Sequence, residues 1–125
     1  MTSVLVVDDE PGARTMLAMA LRGTHVAVET AADGDTALDL VKKHRYDWVI
    51  SDIRLAGIDG ISLVKEIARI RPQTHLLLIS AVASDDDVRD LPIEAFWRKP
   101  FDPLALRTFI QEGANSLARR QYPLG

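Results

Sequence analysis

Val4-Leu5-Val6-Val7-Asp8-Asp9 is the stretch that decides how this chain folds. Four apolar residues, three of them β-branched, stand without a polar break and end in two acids. A strand with one wet face alternates apolar and polar side chains. An unbroken run therefore reads as a strand buried on both faces, which is what a parallel sheet covered by helices requires. Trp48-Val49-Ile50, closing at Ser51-Asp52, and Leu76-Leu77-Leu78-Ile79, closing at Ser80, repeat the pattern. Val26 and Val28 alternate with smaller or polar neighbours, as an outer strand would, and Ala95-Phe96-Trp97 is the fifth candidate.

Between these runs the period becomes helical. Ala13, Met16, Leu17, Ala20 and Leu21 share one helix face, and Gly23 is expected as the C-cap. Residues 36–44 carry Ala37, Leu38 and Val41; residues 61–71 carry Leu63, Val64, Ile67 and Ala68 and are stopped by Pro72. Residues 103–119 carry Leu106, Phe109, Ile110, Gly113, Ala114 and Leu117, with Asp102 as N-cap and Pro103 in the first turn. Strict strand–helix alternation with short loops predicts an α/β fold of three layers, αβα, with right-handed crossovers and parallel strand order 2-1-3-4-5. One domain is expected over residues 1–119, with 120–125 as a tail or the start of a linker.

Composition narrows the function. At 125 residues, 47% hydrophobic and 26% charged, the chain fits a single soluble globular domain. The absence of cysteine removes disulfides, thiolate metal sites and thiol catalysis. Fifteen Lys and Arg against eighteen Asp and Glu give a net charge of −3, with no general pull towards nucleic acid or an anionic membrane. No apolar run approaches the ~20 residues of a membrane span, and Met1-Thr2-Ser3 lacks the basic start of a signal peptide. A cytoplasmic setting is the expectation, with no direct nucleic-acid or membrane partner.

In a parallel sheet every strand points its C-terminal end at one edge. There stand Asp8 and Asp9 after the first strand, Asp52 after the third, Ser80 after the fourth and Lys99 after the fifth. The first and third strands meet at the switch point where ligands of open α/β sheets bind. With paired strands about 4.8 Å apart, three carboxylates crowd one pocket and repel. A hard divalent cation that takes carboxylate oxygens and keeps several waters, Mg²⁺, fits best. His25, His44 and His75 are scattered and show no ligand spacing. Lys99 and Ser80 would complete an anion site, so the residues point to Mg²⁺-dependent phosphoryl transfer to Asp52, the lone acid on the central strand.

Four segments together carry a family likeness: Val4-Leu5-Val6-Val7-Asp8-Asp9-Glu10-Pro11, Asp52-Ile53-Arg54-Leu55-Ala56-Gly57-Ile58-Asp59-Gly60, Ser80-Ala81, and Phe96-Trp97-Arg98-Lys99-Pro100-Phe101. In this order and at these separations they resemble the receiver domain of two-component response regulators, over essentially the whole chain. The resemblance implies a flavodoxin-like (βα)5 fold and an Asp52 that takes phosphate from a histidine kinase, a phosphotransfer protein or a small phosphodonor. It implies that Asp9 and Asp52 ligate Mg²⁺ with the backbone carbonyl of Arg54, and that Asp8 acts through a metal-bound water. Ser80 would hydrogen-bond a phosphoryl oxygen, and Lys99 would pair with it beside a cis bond to Pro100. Phe96 matches an aromatic switch position that follows Ser80, and Arg54 and Val82 would flank the path of the attacking water. The run from Asp52 to Leu55 has a slight likeness to regulators that drive an enhancer-binding ATPase.

Where the family usually has a proline, this chain has Ala56, and the glycine common before the fifth strand is missing around Ile93-Glu94-Ala95. The stretch from Ser80 to Phe96 is short and holds Pro92, so the fourth helix is expected to be short or irregular. These departures fall on the surface of fourth helix, fifth strand and fifth helix, which the resemblance makes the switched surface and the place for homodimer contact. On this reading the chain is a signalling switch and not an enzyme, its phosphoryl transfer and dephosphorylation being self-catalysed. The alternative is a pseudo-receiver that binds protein constitutively. A phosphohydrolase of similar topology would need an acid where Arg54 stands. Asp85, Asp86 and Asp87 read as a solvated acidic helix start, Asp59-Gly60 as turn chemistry, Trp97 as core, and Arg119-Arg120 as too little for nucleic acid.

Overall fold

The structure, a computed structural model, describes residues 1–23 and 25–115. Strands β1 (Thr2–Val7), β2 (Val26–Ala31), β3 (Trp48–Asp52), β4 (His75–Ser80) and β5 (Ala95–Arg98) alternate with helices α1 (Pro11–Leu21), α2 (Gly34–Lys43), α3 (Gly60–Ile70), α4 (Asp85–Val88) and α5 (Pro103–Asn115). The sheet order is β2-β1-β3-β4-β5, with every pairing parallel. This is the expected three-layer arrangement.

The unbroken apolar runs explain it. Val4, Val6, Ile50, Leu77 and Ile79 face α1 and α5, where Leu17, Leu21, Leu106 and Ile110 meet them. Leu5, Val7, Val49, Leu76 and Leu78 face the opposite way, onto Ala37 and Val41 of α2 and Leu63, Val64 and Ile67 of α3. Successive strand residues thus enter two different cores, each large aliphatic contributing roughly 1.5–3 kcal/mol by burial. At the start of β3, the buried Trp48 ring is centred 4.9 Å from that of His75 and 5.7 Å from that of Phe109. Trp97 packs edge-on to Phe101 and Phe109, as a core residue. The Tyr46 hydroxyl donates to Glu29; burial, and then that bond, hold the phenol above its ordinary pKa.

Several boundaries differ from the pattern expected. Arg22, not Gly23, caps α1, and Gly23 instead bridges to Val26, turning the chain directly into β2. Helix α2 starts earlier, at Gly34, because the Asp33 carboxylate accepts the Thr36 N–H at 2.7 Å. Asp59 is a true N-cap, accepting the Ser62 N–H at 2.9 Å. Arg71 leaves α3 as its C-cap and donates to the carbonyls of Val41 and Lys42, closing the end of α2. At α5 the Asp102 carboxylate accepts the Leu104 N–H at 2.9 Å, as expected of a cap. The expected run of that helix to Arg119 and the 120–125 tail lie outside the described residues.

Helix α4 is a single turn, short as the sequence implied. It opens on its three acids and is held by a reciprocal cap between Ser84 and Asp87. Among the described residues no helix is long and apolar enough to cross a membrane.

Candidate functional site

The register of the central strands assembles the site. Val7 stands opposite Ser51, so Asp8, one residue beyond β1, falls beside Asp52 at the end of β3. Lys99 follows β5 and extends back across the end of β4. Its ammonium lies 2.7 Å from Asp52 Oδ2 and 3.4 Å from Asp8 Oδ2. The Asp8 side chain is 3% exposed and that of Asp52 13%. Each carboxylate spends its other oxygen on backbone: Asp8 Oδ1 accepts the Glu10 N–H at 2.9 Å, and Asp52 Oδ1 the Arg54 N–H at 3.0 Å. Burial alone would push the Lys99 ammonium down, but the hydrogen bond and charge of Asp52, joined by Asp8, outweigh it and hold its pKa above the ordinary value.

Asp9 is exposed at the rim beside them. The Lys99–Pro100 peptide is cis. Ser80, fully buried, sits at the end of β4, but its hydroxyl serves its own loop: Oγ accepts the N–H groups of Val82 at 3.1 Å and Ala83 at 3.0 Å. Phe96 is half-buried on the α2–α3 side of the sheet, with the Arg98 guanidinium over its ring. The structure therefore joins Asp8, Asp52 and Lys99 directly, places Asp9 and Arg54 at their edge, and leaves the Ser80 hydroxyl turned towards the loop that follows it.

The description "Response regulator receiver domain" matches residues 4–111. The chain belongs to the response regulator receiver domain family. The transcriptional regulatory protein GlrR of Escherichia coli is 30% identical over 118 residues, which cover 92% of this chain and 27% of that protein. The solved chemotaxis protein CheY4 of Vibrio cholerae is 31% identical with TM-score 0.81, covering 90% of this chain and 98% of that one. The response regulator TrrA of Thermotoga maritima, solved in complex with Mg(2+)-BeF, is 29% identical with TM-score 0.81, again over 90% and 98%. This chain is thus a receiver domain, the phosphoacceptor module of two-component signalling.

The donor set of this receiver suits a hard cation. A buried and a partly buried carboxylate share one ammonium, a third acid stands at the rim, and the nearby side-chain and carbonyl ligands are oxygen. Among the described residues no three His, Asp or Glu side chains converge closely enough to hold a metal by themselves. A bound ion would need a backbone carbonyl and water besides the acids, which is the habit of Mg²⁺.

Sequence reasoning passed over three residues that shape this receiver site. Gly60, read only as turn chemistry, packs α3 against the end of β3: a Cβ there would lie 2.3 Å from the Asp52 carbonyl oxygen and 2.7 Å from Ile53 Cα. Arg14 donates to the Asp8 carbonyl at 2.8 Å, fixing the turn that carries both acids. Arg98 reaches the carbonyl of Ala83 and the carboxylate of Asp85. Only Arg14, one helical turn past the acids, left a signal in its spacing; the others act across the fold.

Proposed function

We propose that Asp52 is the phosphoacceptor of this receiver and that its phosphodonor is a histidine kinase or phosphotransfer protein. The observation that carries it is the Lys99 ammonium lying between the Asp52 and Asp8 carboxylates at the switch point of the sheet. A carboxylate oxygen of Asp52 attacks the donor's phosphoryl group, an acyl phosphate bond forms, and the imidazole nitrogen of the donor departs with the bonding electrons and takes a proton. Lys99 then trades carboxylate for phosphoryl oxygen, neutralising charge where it develops. Asp9 and Asp52, with the Arg54 carbonyl, would hold Mg²⁺, Asp8 acting through water; bound there, the ion supplies charge neutralisation for the phosphoryl oxygens. Ser80 completes the oxygen contacts and Phe96 follows it. Each turnover consumes the donor phosphoryl and leaves the protein modified, so the chain is a switch and not an enzyme.

The domain works in the cytoplasm, and the α4-β5-α5 surface is its output and homodimer face. Net negative charge argues against direct nucleic-acid binding. Incubation with Mg²⁺ and acetyl phosphate or phosphoramidate, followed by intact mass measurement, tests the acceptor. Wild type should gain about 80 Da, the mass of one phosphoryl group, and Asp52→Asn should gain nothing. An unmodified wild type, or an adduct that survives in Asp52→Asn, overturns the assignment.

A further inference from the structure

Arg98 stands next to Lys99 in sequence but points away from the acid pocket, towards the loop between β4 and α4. One guanidinium there makes three contacts. Nη1 donates to the Ala83 carbonyl at 3.3 Å, Nη2 to Asp85 Oδ1 at 3.1 Å, and the guanidinium carbon lies 5.6 Å from the centre of the Phe96 ring. The last distance is within the range in which a cation is attracted to an aromatic face. The ion pair by itself is exposed and contributes little. What matters is the set of groups it joins.

Ala83 belongs to the same tight turn as Ser80, whose Oγ accepts from the N–H groups of Val82 and Ala83. Both acceptor positions of that hydroxyl are thus committed, so Ser80 and the 82–83 backbone move as a unit. In this pose the Ser80 hydroxyl has no hydrogen bond to Asp52 or to the Lys99 ammonium among the described residues; Lys99 alone spans the acids. Any shift of Ser80 towards a phosphoryl oxygen on Asp52 carries the 82–83 backbone with it and draws the Ala83 carbonyl from the guanidinium. Phe96 cannot change its ring position without leaving the same group.

We propose that Arg98 is a positioning residue that ties the Ser80 turn to the Phe96 ring and holds both in the pose seen here. The inference rests on Asp52 as the phosphoacceptor and adds to it a residue that sets how readily the switch moves. A lysine would replace it only in part. A single ammonium cannot face a carbonyl and a carboxylate in fork geometry while lying over a ring.

Beryllium fluoride with Mg²⁺, titrated into wild type, Arg98→Ala, Arg98→Lys and Asp85→Asn, tests this, with the Val82 and Ala83 amide resonances as readout. Arg98→Ala should reach half-saturation at about three- to tenfold lower beryllium fluoride, the range expected for losing one to two hydrogen bonds that favour the resting pose. Before any addition its Val82 and Ala83 resonances should lie part-way towards the saturated wild-type positions. Arg98→Lys should fall between. Asp85→Asn should shift in the same direction by less, and it carries the comparison should Arg98→Ala lose its melting transition. Wild type that responds while the variants match it, in resonances and half-saturation, overturns the inference alone. Wild type that does not respond at all overturns the Asp52 assignment and this inference with it.

Discussion

Gly60 shows how one missing side chain sets the backbone at Asp52. It opens α3, and its N–H donates to the Ile53 carbonyl at 2.8 Å while its Cα lies against the Asp52 backbone. Alanine is the better helix former by up to about 1 kcal/mol, so an unconstrained site would gain from Gly60→Ala. Here the new methyl must displace backbone, since a carbonyl 2.3 Å away has no rotamer to adopt. Gly60→Ala should therefore destabilise the fold by about 1–3 kcal/mol in urea titration and slow phosphorylation of Asp52, because the atoms that move belong to that residue. A variant as stable as wild type would show that α3 approaches less closely. Lys99 makes the complementary point: the sequence already placed it at the site edge, and the structure adds which oxygens its ammonium meets, those of Asp52 and Asp8.

Among the elements, α4 departs most from its neighbours. The other helices run for ten residues or more and bury an apolar face, whereas α4 has four residues and one buried side chain, Val88. Its cap joins Ser84 and Asp87, both exposed, and Arg98 ties it to β5 from outside. With so little burial behind it, local opening costs little. In hydrogen exchange, amides of residues 85–91 should exchange well before those of β1, β3 and β4. Protection equal to the central strands would mean that α4 packs more firmly than one turn suggests. The shortness itself was legible, because too few residues separate Ser80 from Phe96; the tie through Arg98 was not, because an exposed arginine in a strand carries no local pattern.

At the level of the molecule, a group of carboxylates marks one edge of the sheet among the described residues. Asp8, Asp9, Asp33, Asp52 and Asp59 gather at the C-terminal edge of the strands, while Lys42, Lys43, Arg45 and Arg71 close the helices at the other. The acidic edge has the Lys99 ammonium between Asp8 and Asp52, and a divalent ion there would relieve repulsion only in the folded state. Addition of Mg²⁺ should raise the Tm, by about 8 °C when free ion exceeds the Kd a hundredfold, and Asp52→Asn should lose most of that shift. A Tm indifferent to Mg²⁺ in wild type would contradict the assignment of this edge as a cation site.

Two kinds of information were needed. Strands apolar at every position, helices between them and acids at strand ends are facts about neighbours in the chain, so the residues alone determined the layers, the strand order and the edge where Asp8, Asp9, Asp52, Ser80 and Lys99 gather. Which oxygens Lys99 meets, that the Ser80 hydroxyl serves its own turn, that Gly60 presses on Asp52, and that Arg98 spans Ala83, Asp85 and Phe96 were decided only by tertiary structure. Those contacts join segments far apart in sequence, and a hydrogen bond made or missed by an ångström leaves no mark on local patterning.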